Sequence, residues 1–437
     1  MPQVFVEFTL PNATTWSFFS LLLAVALFFK FSRLLSMRNW DLLTFYVLVP
    51  GLLLLQEAHR DYEGASFWLL PAYIWLAVGS TYLLVRCIYD FTLVRRPALR
   101  PNLNFGGLTW LAGALAVCLI SVALRQPKQE GPAETAKVGS VPGAVTDTVE
   151  MVNQGLSRAP VVPRDAAVRA DFWVWPTLAL LCHLAVVIGL IVIGCRHFQD
   201  AHAGLSAATL YLLMPYTAIH ISQLHHVWPA AMIVWAVAAY RRPMIAALLI
   251  GLAAGSAYFP ALIIPLWISF YRGRGAGRFV VISLLAAGLS LGARVWWQGG
   301  GEATLQAALE ELQPWKEPFS REGLWTSLHW AYRIPVFIAY LACLGVTMFW
   351  PSPKNLAHVI AMTAGLLIGV QFWYADQGFV YVLWYLPLLL LMAFRPNLSD
   401  RRPPLIAPED DRLLRVGRAL GRGLKRLLHI PEPAVKG

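Results

Sequence analysis

The feature that most constrains this chain is a succession of apolar runs, each about as long as a bilayer is thick. They recur from residue 16 to residue 394, separated by charged or Pro/Gly breaks. A hydrocarbon core of about 30 Å needs about 20 helical residues. The runs give spans near 16–36, 41–57, 67–88, 107–124, 172–195, 204–220, 227–240, 279–296, 331–350, 355–373 and 378–394. Only helices and closed barrels satisfy their backbone groups in lipid, and runs of this length predict helices. With 58% hydrophobic and 14% charged residues, against about 25% charged in a soluble domain, a soluble fold, a disordered chain and a disulfide scaffold are all excluded.

The stretch 243–271 exceeds one span and is interrupted by Pro260 and Pro265. Basic residues flank both sides: Arg241-Arg242 before it, and Arg272, Arg274 and Arg278 after it. If short basic loops are cytoplasmic, the chain enters and leaves on one side. That predicts two short helices meeting at Tyr258-Phe259-Pro260. The expected fold is all-α, a polytopic transmembrane helical bundle of about thirteen spans, with the N-terminus outside and the C-terminus cytoplasmic. Met1–Trp16 carries Glu7 and no basic start, so the first span is expected to be its own insertion signal.

Three units are expected: an N-terminal three-span module (1–106), a transmembrane core (107–394) and a cytoplasmic tail (395–437). The core carries outer loops at 125–171 and 297–330, with a short helix at Glu302–Leu312 in the second. In the tail, a helix over 411–430 puts Leu413, Val416, Leu420, Leu424, Leu427 and Leu428 on one face. Arg412, Arg415, Arg418, Arg422, Lys425 and Arg426 fall on the other. Such a helix suits an anionic inner leaflet. The net charge of +11 is then positive-inside bias, and the expected partners are membrane lipids, not nucleic acid. The five cysteines lie in or beside apolar runs without CxxC spacing. No P-loop, dinucleotide fingerprint, HExxH or nucleophile elbow occurs. Adjacent histidines point about 100° apart on a helix, so His225-His226 is not a chelating pair, and neither metal nor cofactor is expected.

The strongest functional signal is residues 209–278. An apolar helix with a proline leads to a polar turn with Gln223. A short helix, a basic pair, Gly251-Leu252-Ala253, Pro260, Pro265 and the Arg272–Arg278 cluster follow. This resembles the GT-C superfamily of membrane glycosyltransferases, notably its bacterial mannosyltransferase-like branch. The stretch 373–396, with a polar turn before an aromatic helix containing a proline, resembles that family's last span. The resemblance implies a bacterial-type cytoplasmic membrane and transfer of a hexose or pentose from a polyprenyl-phosphate sugar to a lipid or glycan acceptor at the outer face. The chain departs from the family at Ala257, where a lysine usually stands. A catalytically silent scaffold of the same fold and a transporter of lipid-linked substrates are the alternatives. Against the transporter, charges within the spans are few and no repeat is visible.

Inverting transfer needs a base for the acceptor hydroxyl and positive charge for the departing phosphate. The preferred base is Asp147, in GAVTDTVEMVNQG, with Glu150 in reserve on the same helical face. For the phosphate, the candidates are cations at outer span ends, where they are unexpected: Arg294, Arg333 and Arg169. Gln223, His225, His226 and Asp376 are expected to line the same cleft.

Overall fold

The structure is a computed structural model that describes residues 13–59, 64–90, 99–125, 170–256, 259–297, 301–302, 305–306, 324–326, 328–374 and 378–404. Every regular element among them is helical. In chain order they are α1 (Ala13–Phe28), α2 (Met37–Thr44), α3 (Val49–Ala58), α4 (Leu69–Asp90) and α5 (Phe105–Arg125). Next come α6 (Ala170–Ile193, continued by a π turn at Gly194–Phe198), α7 (Ala201–Leu213), α8 (Pro215–Ile219), α9 (Leu224–Ala238) and α10 (Pro243–Ser256). The last are α11 (Ile264–Phe270), α12 (Ala276–Trp297), α13 (Arg333–Phe349), α14 (Leu356–Val370) and α15 (Leu386–Phe394).

Five described helical stretches are long and apolar enough to cross a membrane: Met37–Ala58, Ser66–Asp90, Phe105–Ala123, Pro176–Phe198 and Ala276–Ala293. The protein is thus a polytopic helical bundle. Its other apolar helices, among them α7, α9, α10 and α14, are shorter. At 16–36 and 204–220 the sequence implied longer ones, and specific residues account for the difference. The run 16–36 stops at Phe28 because Asn39 captures the turn beyond it. Its Oδ1 accepts from the Lys30 backbone N–H at 2.9 Å, and its amide donates to the carbonyls of Lys30, Arg33 and Leu34 at 3.0–3.1 Å. Within Met37–Ala58, the turn between α2 and α3 is held by Tyr216, which donates its hydroxyl to the Phe45 carbonyl at 2.8 Å. The run 204–220 breaks at Pro215, which opens α8 after an extended Met214.

The two short helices expected within 243–271 are α10 and the 3-10 turn Phe259–Ile263 running into α11. Small residues let α10 lie against α12. A Cβ on Gly255 would stand 2.6 Å from the Ser290 Cβ and 2.7 Å from the Ala287 carbonyl oxygen, and one on Gly251 would overlap the Ser283 backbone. This is the close helix approach that small-xxx-small spacing permits in membranes.

The N-terminal spans share one hydrophobic core with the rest. Trp16 donates to the Leu213 carbonyl at 3.2 Å, Leu99 N–H to Ala393 at 3.2 Å, and the Arg395 guanidinium holds Asp90 at 2.8 Å. The last contact belongs to a buried network in which Arg86 also pairs with Asp41 at 2.6 Å and faces Asp90 at 3.8 Å. These charges lie at or just beyond span ends, where opposite charges from α2, α4 and the end of α15 offset one another. The segment 395–404 is irregular, and Arg401 accepts the Leu356 N–H at 2.8 Å. The expected tail helix 411–430 lies outside the described residues, as does most of Glu302–Leu312.

The bundle has two chemically distinct ends. The arginine end carries Arg196, Arg241, Arg242, Arg272, Arg274, Lys354, Arg401 and Arg402 in the connections between helices. The opposite, histidine end gathers the α8–α9 turn, the α10–α11 junction and the α14–α15 connection.

Candidate functional site

Three breaks in helical structure meet at the histidine end, and each has a local cause. The first is the turn His220–Gln223 between α8 and α9. The second is the α10–α11 junction at Phe259-Pro260. The third is the connection from Gln371 to Tyr385, held open by side chains that satisfy its backbone. Gln371 accepts from the Tyr381 N–H at 3.2 Å and donates to the Leu367 and Tyr381 carbonyls at 3.3 Å. Trp325 donates to the Phe372 carbonyl at 2.9 Å. Arg333 donates to the Trp373 carbonyl through Nε at 3.1 Å and Nη2 at 2.9 Å. These carbonyls follow the C-terminus of α14, where cations and donors are favourable. In the same connection the buried Phe379 has φ +74°, a conformation rare for a bulky residue and concentrated at functional sites.

The centre of the site is a stack of rings. His226 lies 4.0 Å from His220 at 23° and 5.0 Å from Tyr381 at 29°, with His225 tilted against it at 4.3 Å. Tyr381 stacks in turn on Trp384 at 4.1 Å, and Trp384 stacks on Phe259. Pro229, inside α9, has no N–H for the carbonyl four residues earlier. That carbonyl, of His225, accepts instead from the Trp384 indole at 3.4 Å. A proline in one helix thus fixes an aromatic ring from another.

Three imidazole nitrogens in this stack are buried and have no hydrogen-bond partner among the described residues: His220 Nε2, His225 Nδ1 and His226 Nδ1. The His220 Nδ1–H donates to Gln223 Oε1 at 2.5 Å, which leaves Nε2 as a bare acceptor. A fourth such atom, His183 Nε2, belongs to a histidine of α6 whose Nδ1 meets the Tyr211 hydroxyl at 2.8 Å. Buried polar atoms are usually paired, and each orphan costs about 1–3 kcal/mol. The rings lie face to face and do not converge on a point. No group of three or more His, Cys, Asp or Glu suited to a metal ion occurs among the described residues.

Helix length sets the depth of the stack. At 1.5 Å per residue, α9, α10 and α14 are about 21–22 Å long, roughly 8 Å less than a bilayer core. Their arginine-end termini carry charges that belong at the headgroups, so their other ends stop within the hydrocarbon.

The structure therefore brings together Gln223, His225 and His226 of the residues singled out from sequence. Arg333 is at the same end, bonded to the α14–α15 connection. Arg294 lies in the last turn of α12, at that end too. Asp147, Glu150, Arg169 and Asp376 lie outside the described residues. Sequence reasoning missed His183, His220, Gln371 and the ring pair Tyr381–Trp384. His183 had a usable signal, being an ionisable residue in mid-span, and His220 stood in the motif HISQLHH. Gln371 and Tyr381 had none, since their roles depend on the path of the connection between them.

Compared with known protein families, curated proteins and solved structures, the chain matches none of them.

Proposed function

We propose that the chain is an integral membrane glycosyltransferase of GT-C type. It moves a hexose or pentose from a polyprenyl-phosphate sugar to a lipid or glycan hydroxyl at the histidine end, which is the outer face in the thirteen-span topology. The observation that carries this reading is the ring stack with its three buried, unpartnered nitrogens. Sugar hydroxyls are suited to pair with such atoms. A site at hydrocarbon depth also fits a donor whose headgroup is anchored by a polyprenyl chain. The sequence 126–169, which carries Asp147 and Glu150, joins the end of α5 to the start of α6, both at this end.

In the reaction, Asp147, with Glu150 in reserve, takes the proton of the acceptor hydroxyl. The acceptor oxygen bonds to the anomeric carbon as the bond from that carbon to the phosphate oxygen breaks. The departing phosphate is stabilised by Arg294 and Arg169, with Arg333 holding the connection beside it. The phosphate is a weak base and leaves without a proton. A silent scaffold is the alternative reading, favoured by Ala257 in place of the family's usual lysine.

The test is the melting temperature of the detergent-purified protein with polyprenyl-phosphate mannose, glucose or arabinose, against bare polyprenyl phosphate. A ligand at a hundred times its Kd stabilises by about 2.7 kcal/mol, so a sugar-selective rise is expected. No rise with any donor would leave the scaffold. If transfer is then demonstrated, Asp147→Asn with Glu150→Gln should abolish it, and intact transfer would remove these carboxylates from the mechanism.

A further inference from the structure

At the arginine end, three connections converge on one corner. The α11–α12 turn brings Arg272 and Arg274, the α13–α14 connection brings Lys354, and the segment after α15 brings Arg401 and Arg402. The corner is tied together by backbone: Leu356 N–H donates to the Arg401 carbonyl at 2.8 Å, and Arg274 donates to the Pro403 carbonyl. Lys354 is 5% exposed and caps α13, donating to the Met348 and Pro351 carbonyls at 3.2 and 3.0 Å. Burial and the nearby charge of Arg272 both pull its pKa down. His358, one turn into α14, is within electrostatic reach of Lys354, Arg395 and Arg402.

The folded chain therefore holds like charges together. Among the described residues, Arg272 and Arg402 are exposed and enter no ion pair. The carboxylates of this end are engaged or outlying. Asp90 and Asp41 belong to the buried network, and Asp200 caps α7 by accepting from Ala203 N–H at 3.0 Å. Asp400 is the acidic neighbour of Arg401 among the described residues, and the run Glu409-Asp410-Asp411 follows further along the sequence. Such a concentration of cations is self-repelling until an anion enters it.

A second observation says which anion. α13 packs against α11 and α14, and the end of it nearest this corner is an exposed apolar face: Val346 is 57%, Phe349 72% and Trp350 58% exposed. Aromatic residues at a span end mark the depth of the membrane interface. Cations beside a lipid-facing apolar stripe match an amphiphile with a negative head, and basic pockets between helices on the cytoplasmic side are where such headgroups bind.

We propose that the corner formed by Arg272, Lys354 and Arg402 binds the headgroup phosphate of an anionic phospholipid, whose acyl chains lie along the exposed face of α13. The site is at the opposite end from the ring stack and does not depend on glycosyl transfer. It is also distinct in sequence from the basic helix expected over 411–430.

The experiment is the melting temperature of full-length protein in detergent, titrated with phosphatidylglycerol, phosphatidylcholine or inorganic phosphate. Phosphatidylglycerol alone is expected to raise it. Arg272→Gln with Arg402→Gln should bind phosphatidylglycerol about tenfold more weakly or worse. Its melting temperature without lipid should be unchanged or slightly higher, because neither guanidinium forms an ion pair among the described residues and their mutual repulsion is removed. Replacing the tail arginines 412, 415, 418 and 422 by glutamine should leave the response intact. An equal response to phosphatidylcholine, an equal response to inorganic phosphate, or an undiminished response in the double variant would each overturn the proposal. A loss of the response on changing the tail would overturn it in favour of the tail helix. If wild type does not respond and Glu409→Gln/Asp410→Asn/Asp411→Asn does, the chain's own acidic run fills the corner and the lipid proposal fails.

Discussion

His226 is the residue on which the two sides of the site turn. One face of its ring meets an imidazole and the other a phenol, and its buried Nδ1 has no partner among the described residues. A phenyl ring in its place keeps the stack and removes an unpaired polar atom. His226→Phe is therefore expected to melt within about 1 kcal/mol of the parent and to lose the sugar-selective rise on adding donor. A variant with full donor response would show that this nitrogen does not contact the sugar. A large loss of stability would show that it is already paired inside the fold. The same scale shows what a linear chain conceals. Gln223, His225 and His226 stand out in sequence because they are polar in an apolar setting. The Gln371–Tyr381 pairing joins residues ten apart across a connection with no repeating pattern, and nothing in residue type announces it.

Elements were legible where periodicity or a proline sets them. The doubled span at 243–271 resolves into two short helices at the predicted break, since Pro260 and Pro265 cannot continue a helix and the basic flanks fix a common side. Element ends were less legible, because tertiary donors set them. Asn39 cuts α1 short through four hydrogen bonds, and the α2–α3 break is bonded by Tyr216, 171 residues away from Phe45. The glycines give a direct test of how α10 and α12 fit. Gly251→Leu is expected to cost about 3 kcal/mol or more, or to prevent folding, because backbone occupies the space. Gly288→Ala on α12, where no atom lies within 4 Å, should be neutral or slightly stabilising through helix propensity. Thermal unfolding of the two variants side by side checks this, and equal losses would mean that α10 packs otherwise.

For the whole molecule, the Asp41–Arg86–Asp90–Arg395 network ties the first spans to the last helix. Removing one partner leaves a buried charge, so Arg395→Met is expected to destabilise by about 3–5 kcal/mol. Adding Asp90→Asn should recover part of that loss, and thermal unfolding of the single and double variants measures it. No recovery would mean that Arg395 acts through packing alone. The network was illegible because its directly bonded members lie up to 305 positions apart, and single charges in apolar runs give no sign of where they meet. The lipid-facing helices of this bundle do not all call for a bilayer of one thickness. Long α4, α6 and α12 ask for a full hydrocarbon slab, while α13, 17 residues long and exposed at Ile338, Leu341, Val346 and Phe349, is matched to one a few ångströms thinner, and such mismatch is relieved by local thinning at a modest cost per ångström. The lipids beside α13 are then compressed. Short-chain lipids relieve that strain, so reconstitution in fourteen-carbon lipids should give a higher melting temperature than in twenty-two-carbon lipids. The host membrane, through its thickness alone, becomes a setting on how readily a headgroup descends to the rings.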